Sequence, residues 1–133
     1  MSALIRDVSV FLEQQYNHQQ VVYSLEFSLE EMITNIIKYA YDDEEEHEIS
    51  VTVSAIHDRI VICFEDDGRP FNPCSVEDPD MQQSISDRSI GGLGIFLVRK
   101  QVAEMDYRRY QGHNILTITI DNLSVSREKE KHL

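Results

Sequence analysis

Proline and glycine are concentrated in one stretch of this chain, between residues 70 and 94. It holds all three prolines and three of the five glycines: Pro70, Pro73, Pro79, Gly91, Gly92 and Gly94. Proline lacks an amide donor and glycine tolerates positive φ, so the stretch should begin where a strand ends and finish as a flexible approach to a helix. It predicts a loop of about 20 residues, a length typical of functional lids or disordered segments, with regular structure on both sides.

Two amphipathic helices are predicted on the N-terminal side of this loop. The first runs from about Ala3 to Tyr16 and the second from about Gln20 to Tyr41. The apolar stripe of the second helix consists of Val22, Leu25, Leu29, Met32, Ile36 and Ala40. The acidic run from Asp42 to Glu48 lacks the Asp-x-Asp-x-Asp-Gly pattern of calcium loops, so we expect a solvated connection without a metal role.

Alternating apolar and polar residues predict two β-hairpins, one on each side of the loop. Residues 48–55 and 59–65 form the first, with a turn at His57 and Asp58. Residues 107–110 and 115–120 form the second, around Gly112, His113 and Asn114.

A third helix is predicted between the loop and the second hairpin, since apolar residues from Ile95 to Met105 recur at helical spacing. Helices gathered on one face of a mixed, mainly antiparallel sheet make an α+β fold, a two-layer α/β sandwich with three helices. We expect a single domain over residues 1–123 and a polar tail over residues 124–133.

Composition and charge exclude several classes of protein. The chain has 133 residues, 41% of them apolar, which suits one small packed core and not a multidomain enzyme. Twelve basic against 24 acidic residues give a net charge of -12, which disfavours nucleic acid and anionic membranes as partners. The sequence shows neither a secretory leader nor a membrane span, so a cytoplasmic location is expected. The two cysteines, Cys63 and Cys74, lack metal-ligand or redox spacing, and a disulfide framework is not predicted.

Three polar side chains fall on one face of the second helix. Glu31, Asn35 and Lys38 lie within about 60° of one another and away from the apolar stripe. They present a carboxylate, an amide and an amine together, although a solvated face with Ser28 and Glu31 as a capping box is an alternative. Because the apolar stripe already begins at Val22, we expect Ser28 to be in the middle of the helix.

Two further features could bind a ligand. Asp66 ends an apolar strand and precedes Gly68 by two residues, so it is either a turn former or a carboxylate that accepts a hydrogen bond from a ligand amine. Gly91-Gly92-Leu93-Gly94 leads into a helix, whose N-terminus suits a phosphate chain, although ordinary loop-to-helix junctions look similar. The Walker pattern is absent, as is a strand immediately before the glycines, which excludes both P-loop and Rossmann folds.

The order of these features resembles the N, G1 and G2 boxes of the Bergerat-fold ATPases, the GHKL or histidine-kinase-like superfamily. The resemblance is closest to the bacterial anti-sigma-factor serine/threonine kinases of the RsbW and SpoIIAB type and covers about residues 4–120. It is carried by Glu31 to Tyr41, Glu65 to Pro73 and Arg88 to Arg99.

This resemblance implies a role for each matching residue. Asn35 would ligate Mg²⁺, Glu31 would be the general base, and Asp66 would bind the adenine amino group of ATP. Glycines in the G1 and G2 boxes would allow close backbone approach, and Arg88 in the lid is a candidate for contacting the terminal phosphate. The full set expected at the nucleotide is Asn35, Lys38, Asp66, Gly68, Arg88, Gly91, Gly92, Leu93 and Gly94.

The implied function is phosphorylation of an anti-sigma-factor antagonist in a partner-switching system, in which the kinase otherwise holds a sigma factor. Two alternatives stay open: a noncatalytic ATP-binding module that controls a partner by lid closure, and a detached histidine-kinase catalytic domain. The sequence departs from the family pattern at Tyr39, where His is frequent, and at Pro70, where a second G1 glycine is frequent. The strand that usually precedes the first helix is also absent from it, which leaves a sheet edge uncovered: this is either a route to homodimerisation or a sign that the sequence is trimmed.

Overall fold

The computed structural model describes residues 19–43, 45–77 and 90–121, together with Arg6, Asp7 and Val10. Two α-helices are present in this part of the chain, α1 (Gln19–Tyr39) and α2 (Ile90–Gln101), and a short 3₁₀ helix covers Pro73–Ser75. The strands are β1 (Ile49–Ile56), β2 (Arg59–Asp66), β3 (Glu104–Tyr110) and β4 (His113–Asp121). The predicted first helix is described only at three residues with helical backbone, and the centre of the loop and the C-terminal tail lie outside the described residues.

The four strands form one antiparallel sheet in the order β1-β2-β4-β3. Both predicted hairpins are confirmed. The first turns at His57, with a φ of 54°, and the second at Gln111 and Gly112, with φ values of 48° and 79°. The central pairing of β2 with β4 places Asp66 directly opposite Asn114, which has consequences for the candidate site.

Both helices pack on the same face of the sheet. Strand alternation puts one set of side chains of β2 and β4 on this face, and the predicted stripe of α1 covers them. The buried core includes Leu25, Leu29, Met32, Ile36, Ile62, Phe64, Ile95, Val98, Leu116 and Ile118. The predicted two-layer α+β sandwich is therefore confirmed, with two of its helices in the described part of the chain. Neither of them is long and apolar enough to cross a membrane.

Helix α2 differs from the prediction at both ends. It ends at Gln101, so Met105 is in β3 and not in the helix as predicted. The reason is that the amide of Ala103 donates to the carbonyl of Thr119 at 2.8 Å, which starts the pairing with β4. At its other end the helix begins at Ile90, so the glycines form its first turns.

Helix α1 ends at Tyr39, two residues before the predicted end. The last carbonyls of a helix need donors from outside it. Arg69 supplies two: its amide donates to the Ala40 carbonyl at 2.8 Å and its Nε donates to the Tyr39 carbonyl at 2.8 Å. The segment that follows β2 therefore caps α1.

The start of the predicted loop is also structured. The Asn72 side chain accepts a hydrogen bond from the Cys74 amide at 2.9 Å and caps the 3₁₀ helix. From α2, Arg99 donates to the carbonyls of Pro73, Cys74 and Val76, the shortest of these bonds being 2.6 Å to Val76. Residues 72–77 are thus tied to α2 and do not belong to an unstructured loop.

Candidate functional site

One flank of α1 carries the predicted carboxylate and amide. Asn35 is only 4% exposed, and its Nδ2 donates to the backbone carbonyl of Glu31 at 2.6 Å. Because a carbonyl can only accept, this bond fixes the amide orientation and leaves Oδ1 as the acceptor oxygen, which receives no hydrogen bond from the residues that the structure describes. Ser28 is in the middle of the helix as expected, so the capping-box alternative is wrong.

Lys38 is not brought together with this pair. Its side chain is exposed, and Nζ lies 5.7 Å from the ring centroid of Tyr39. The polar face predicted from helical spacing is therefore buried at Asn35, half-buried at Glu31 and exposed at Lys38. The Glu31 carboxylate lies against Gly94 of the neighbouring helix.

The first turns of α2 lie directly against Glu31. A methyl group added at Gly94 would overlap the Glu31 carboxylate, with its carbon 2.7 Å from Cδ. Real carbon contacts are essentially never that short, so a side chain at residue 94 would displace the Glu31 carboxylate from this position. The glycine-rich G2 box at the start of α2 thus contacts the N box on α1 through Gly94 and Glu31.

Gly68 makes a similar close approach at the end of α1. A Cβ at this residue would be 2.5 Å from the carbonyl oxygen of Ala40 and 2.7 Å from its Cβ. The glycine therefore allows the segment after β2 to reach the helix end that Arg69 caps. The sequence predicted a close backbone approach at Gly68, and the group it approaches within the chain is the α1 terminus.

Asp66 is buried at the end of β2, with 3% of its surface exposed. Its Oδ1 accepts hydrogen bonds from the Gly68 amide and from Nδ2 of Asn114, both at 2.9 Å. Oδ2 accepts none from the described part of the chain. The turn-forming role considered from the sequence is therefore confirmed through Oδ1, and binding of a ligand amine by Oδ2 stays a prediction.

Asn114 is the residue that sequence reasoning missed. It was assigned to a hairpin turn, but it is buried in β4, opposite Asp66. Its Nδ2 also donates to the Arg69 carbonyl at 2.9 Å, while its Oδ1 accepts from the Phe71 amide at 3.2 Å and from the Tyr107 hydroxyl at 2.5 Å. A prediction of the β2–β4 register could have identified it, because that register places Asn114 opposite Asp66.

Arg109 supports the same segment from β3. Its Nη1 donates to the Gly68 carbonyl at 2.7 Å and to Asn114 Oδ1 at 3.0 Å. Together with Asn114 it holds the backbone from Gly68 to Phe71 against the sheet. We call residues 68–71, which belong to the G1 box, the G1 segment. It is fixed from both sides, by the α1 terminus and by β3 and β4.

The remaining predicted residues are placed less fully. Gly91, Gly92 and Leu93 are in the first turns of α2, together with Gly94. Arg88 lies outside the described residues. The structure thus brings together Glu31, Asn35 and Gly94 on one flank of α1, and Asp66 and Gly68 at the end of β2.

The acidic connection after α1 is hydrogen-bonded to the segment that holds Asp66. The Tyr41 hydroxyl donates to Asp67 Oδ1 at 3.0 Å, and burial together with this bond raises the pKa of Tyr41 to about 12. His47 stacks on Tyr41 with centroids 4.0 Å apart. Its Nε2 is 2.6 Å from Asp43 Oδ1 and its Nδ1 is 3.4 Å from Asp67 Oδ1.

These contacts shift the ionisation of both partners. The hydrogen bond that His47 Nε2 donates to Asp43 Oδ1 raises the pKa of His47, and the same bond lowers the pKa of Asp43. One ligand atom each of Asp43, Glu45 and His47 lies within 4.8 Å of the others. The described acidic side chains of this connection are exposed, as expected, and Asp43 and His47 link it to Asp67 beside the candidate site.

Comparison with known proteins adds a family match. Residues 1–120 match the family model described as "Histidine kinase-like ATPase domain". The matched range contains α1, the sheet up to Ile120 in β4, the G1 segment and α2, and hence every residue discussed above as part of the candidate site.

Curated relatives are similar at low identity. The serine/threonine-protein kinase BtrW of Bordetella bronchiseptica is 26% identical over 97 residues, which is 73% of this chain and 68% of that protein. The serine-protein kinase RsbW of Listeria innocua is 26% identical over 124 residues, covering 86% of this chain and 75% of that protein. For RsbW of Bacillus subtilis the identity is 26% over 101 residues, covering 72% of this chain and 61% of that protein.

A solved structure supports the fold. The histidine kinase domain from the Erythrobacter litoralis blue-light activated histidine kinase superposes with a TM-score of 0.54 at 17% sequence identity. The similarity covers 79% of this chain and 48% of that chain. At this identity the match bears on architecture alone.

Proposed function

This chain belongs to the family of histidine kinase-like ATPase domains, and from that premise we propose that it binds ATP with Mg²⁺ and phosphorylates a serine or threonine of a partner protein. Its curated relatives are named serine-protein or serine/threonine-protein kinases, which supports this class of reaction. Asn35, Asp66 and the glycine-rich start of α2 would hold the nucleotide, and Glu31 would act on the accepting hydroxyl.

The contact between Gly94 and the Glu31 carboxylate carries the proposal. It places the N-terminal turns of α2 against the helix flank that holds the carboxylate and, one turn further, the buried amide of Asn35. A helix N-terminus favours a phosphate chain because its amides and dipole attract negative charge. Phosphate, metal ligand and base would thereby meet in one place.

Asp66 fits an adenine ring. Its free Oδ2 is an acceptor, and the adenine amino group is a donor, whereas guanine presents a carbonyl oxygen at the corresponding position. The carboxylate would therefore favour adenine and repel guanine. The bonds from Gly68 and Asn114 to Oδ1 keep Oδ2 oriented for this role.

Asn35 fits a magnesium ion. Mg²⁺ prefers oxygen ligands and retains several waters, so one amide oxygen on a fixed side chain suits it. The bond from Nδ2 to the Glu31 carbonyl holds Oδ1 in place. When bound, Mg²⁺–ATP supplies the transferable phosphoryl group and neutralises part of its charge.

Glu31 is proposed as the general base. Its carboxylate forms no ion pair within the described ranges of the chain, so it is available to take a proton from an incoming hydroxyl. It lies one helical turn from Asn35, close enough to a hydroxyl positioned by the metal-bound nucleotide. The proton would pass from the partner's Ser or Thr to a Glu31 oxygen as the hydroxyl oxygen takes the terminal phosphoryl group of ATP, whose bond to the bridging oxygen breaks and releases ADP.

We propose partner switching as the biological setting. In this role the kinase would hold a sigma factor until an unphosphorylated antagonist displaces it, and phosphorylation would inactivate that antagonist. Such regulation would take place in the cytoplasm. The similarity to RsbW and BtrW supports this setting, and proteins encoded beside this chain's gene are the first candidates to test as sigma factor and antagonist.

A transfer experiment tests the proposal. Purified chain is mixed with labelled ATP, Mg²⁺ and a candidate antagonist, and the label on the antagonist is followed with time. Glu31→Gln should lower transfer by about 10²- to 10⁴-fold and retain most ATP binding, because it removes the base and keeps the shape.

Glu30→Gln is the matched control. Glu30 is exposed on another flank of the same helix, so this variant should transfer phosphate at the wild-type rate. ATP binding without transfer to any candidate would favour the noncatalytic binding module. Equal transfer by Glu31→Gln and wild type would remove Glu31 as the base.

A further inference from the structure

A groove of about 470 Å³ lies on another flank of α1. It is lined by Ile33, Ile37, Tyr41, Asp43, Glu45, His47 and Ile49. At about 100° per residue, Ile33 and Ile37 are about 120° to 160° around the helix from Glu31 and Asn35. The groove therefore lies away from the flank of α1 that holds Glu31 and Asn35, and its wall at Tyr41 and His47 contacts Asp67, next to Asp66.

The floor of the groove is apolar. Ile37 is 58% exposed, and Ile33 and Ile49 are half-buried against the core. Single exposed isoleucines are common on protein surfaces, but here three branched side chains share one concave surface beside the edge strand β1. They offer a place for two or three apolar side chains of another molecule.

The rim of the groove is acidic. Asp43 and Glu45 are exposed lining residues, and Asp42, Glu46 and Glu48 in the same connection are exposed too. The one lining group that can be cationic, His47, already contacts Asp43 and Asp67. The rim therefore keeps an excess of negative charge, in a chain with a net charge of -12.

The wall of the groove is held in place before any partner binds. Tyr41 and His47 are stacked, and both contact Asp67. A surface fixed in this way loses little conformational entropy on binding, which favours affinity.

From the apolar floor, the acidic rim and the fixed wall, we propose that this groove docks a cationic amphipathic segment of a partner protein. Branched or aliphatic side chains of that segment would fill the floor beside Ile37, and its Lys or Arg side chains would face Asp43 and Glu45. Charge complementarity selects this occupant, since an acidic segment or a nucleic acid would be repelled. The inference goes beyond the proposed kinase activity and does not depend on it.

The probe is a fluorescent amphipathic peptide of leucine and lysine, about 18 residues long, or five helical turns. Its matched control peptide has glutamate in place of lysine. Binding to the full chain is measured by anisotropy and mapped by isoleucine methyl NMR. We expect the lysine peptide to shift the methyls of Ile33, Ile37 and Ile49 and to leave that of Ile56 unchanged.

Two exposed isoleucines provide a matched pair of variants. Ile37→Ala should weaken the lysine peptide about tenfold, because one apolar contact is lost. Ile56→Ala, at a residue 54% exposed at the other end of β1, should bind like wild type. The double variant Asp43→Asn, Glu45→Gln should bind more weakly and depend less on salt, because screened charge contacts are removed.

Three results would overturn the inference: equal binding by both isoleucine variants, methyl shifts confined to residues outside the groove, or equal binding of the glutamate and lysine peptides. The binding and mapping measurements use no nucleotide, so they stand if the chain fails to transfer phosphate. In a separate titration, saturating Mg²⁺–ATP should leave the groove shifts of the bound peptide unchanged, and their loss would contradict a groove that the nucleotide leaves free.

Discussion

Removal of the Asn114 amide is the sharpest test of how the G1 segment is held. In Asn114→Ala, five hydrogen bonds are lost, to Asp66, Arg69, Phe71, Tyr107 and Arg109. The substitution removes little volume. The five groups that bond to the Asn114 amide lose this hydrogen-bond partner at a buried position.

The size of the effect follows from these bonds. At about 1 kcal/mol for a typical net contribution, they would amount to about 5 kcal/mol, with the charged Asp66 and Arg109 contributing most. Water that enters the vacated space recovers part of this. We expect a loss of about 3 kcal/mol in the free energy of unfolding and a fall in Tm of about 10 °C.

Guanidinium denaturation and thermal melting measure this directly, with an unchanged m-value as the sign that the folded state is otherwise intact. Tyr107→Phe removes one bond of the same cluster and should cost about 1 kcal/mol. His113→Ala, at the residue next to Asn114, is the matched control. The His113 side chain is half exposed and its Nδ1 is 3.7 Å from Glu65 Oε1, so the loss in the free energy of unfolding should stay below about 0.5 kcal/mol. A stability of Asn114→Ala equal to that of the control would refute the reasoning.

Three further predictions concern the site and its surroundings. Asp66→Asn should weaken ATP binding by about 10- to 100-fold in calorimetry, since a charge-assisted bond is lost; unchanged affinity would remove Asp66 from the site. Gly94→Ala should lower phosphate transfer because its methyl group would displace the Glu31 carboxylate, and a wild-type rate would contradict that contact. Asp43 raises the pKa of His47, so protonated His47 stabilises the folded state. This stabilisation is complete below the unfolded pKa of about 6.5 and is lost as pH rises through the higher folded pKa. Denaturation measured between pH 6 and 9 should therefore show a downward slope that His47→Gln lacks, and equal slopes would refute it.

Local sequence patterns were sufficient to predict α1 and both hairpins. The stripe from Val22 to Ala40 predicted α1 because a helix that covers a sheet must be apolar on one side, and the structure buries that stripe. The alternation of apolar and polar residues predicted both hairpins in the same way. In a sheet with one covered face, every second side chain of a strand points towards the core and is apolar. The family resemblance also arose from sequence alone, and the match over residues 1–120 confirms it.

Element ends were less accessible to sequence reasoning. Met105 has helical spacing from Val98 and Val102, yet it is in β3 because the Ala103 amide pairs with β4. Tyr41 continues the periodicity of α1, but Arg69 ends the helix earlier by capping its carbonyls. In both cases a contact with a distant segment outweighs a local preference.

The sequence by itself determined the two-layer fold, the order of the three motifs and the residues that carry them, because periodicity and motif spacing are properties of neighbouring residues. Only the tertiary structure decided that Gly94 contacts Glu31, that Gly68 packs on Ala40 and that Asn114 faces Asp66. These pairs are 28 to 63 residues apart in the chain. The physical reason is that a buried polar group takes whatever partner the sheet register and helix packing bring to it, and no local pattern records that partner.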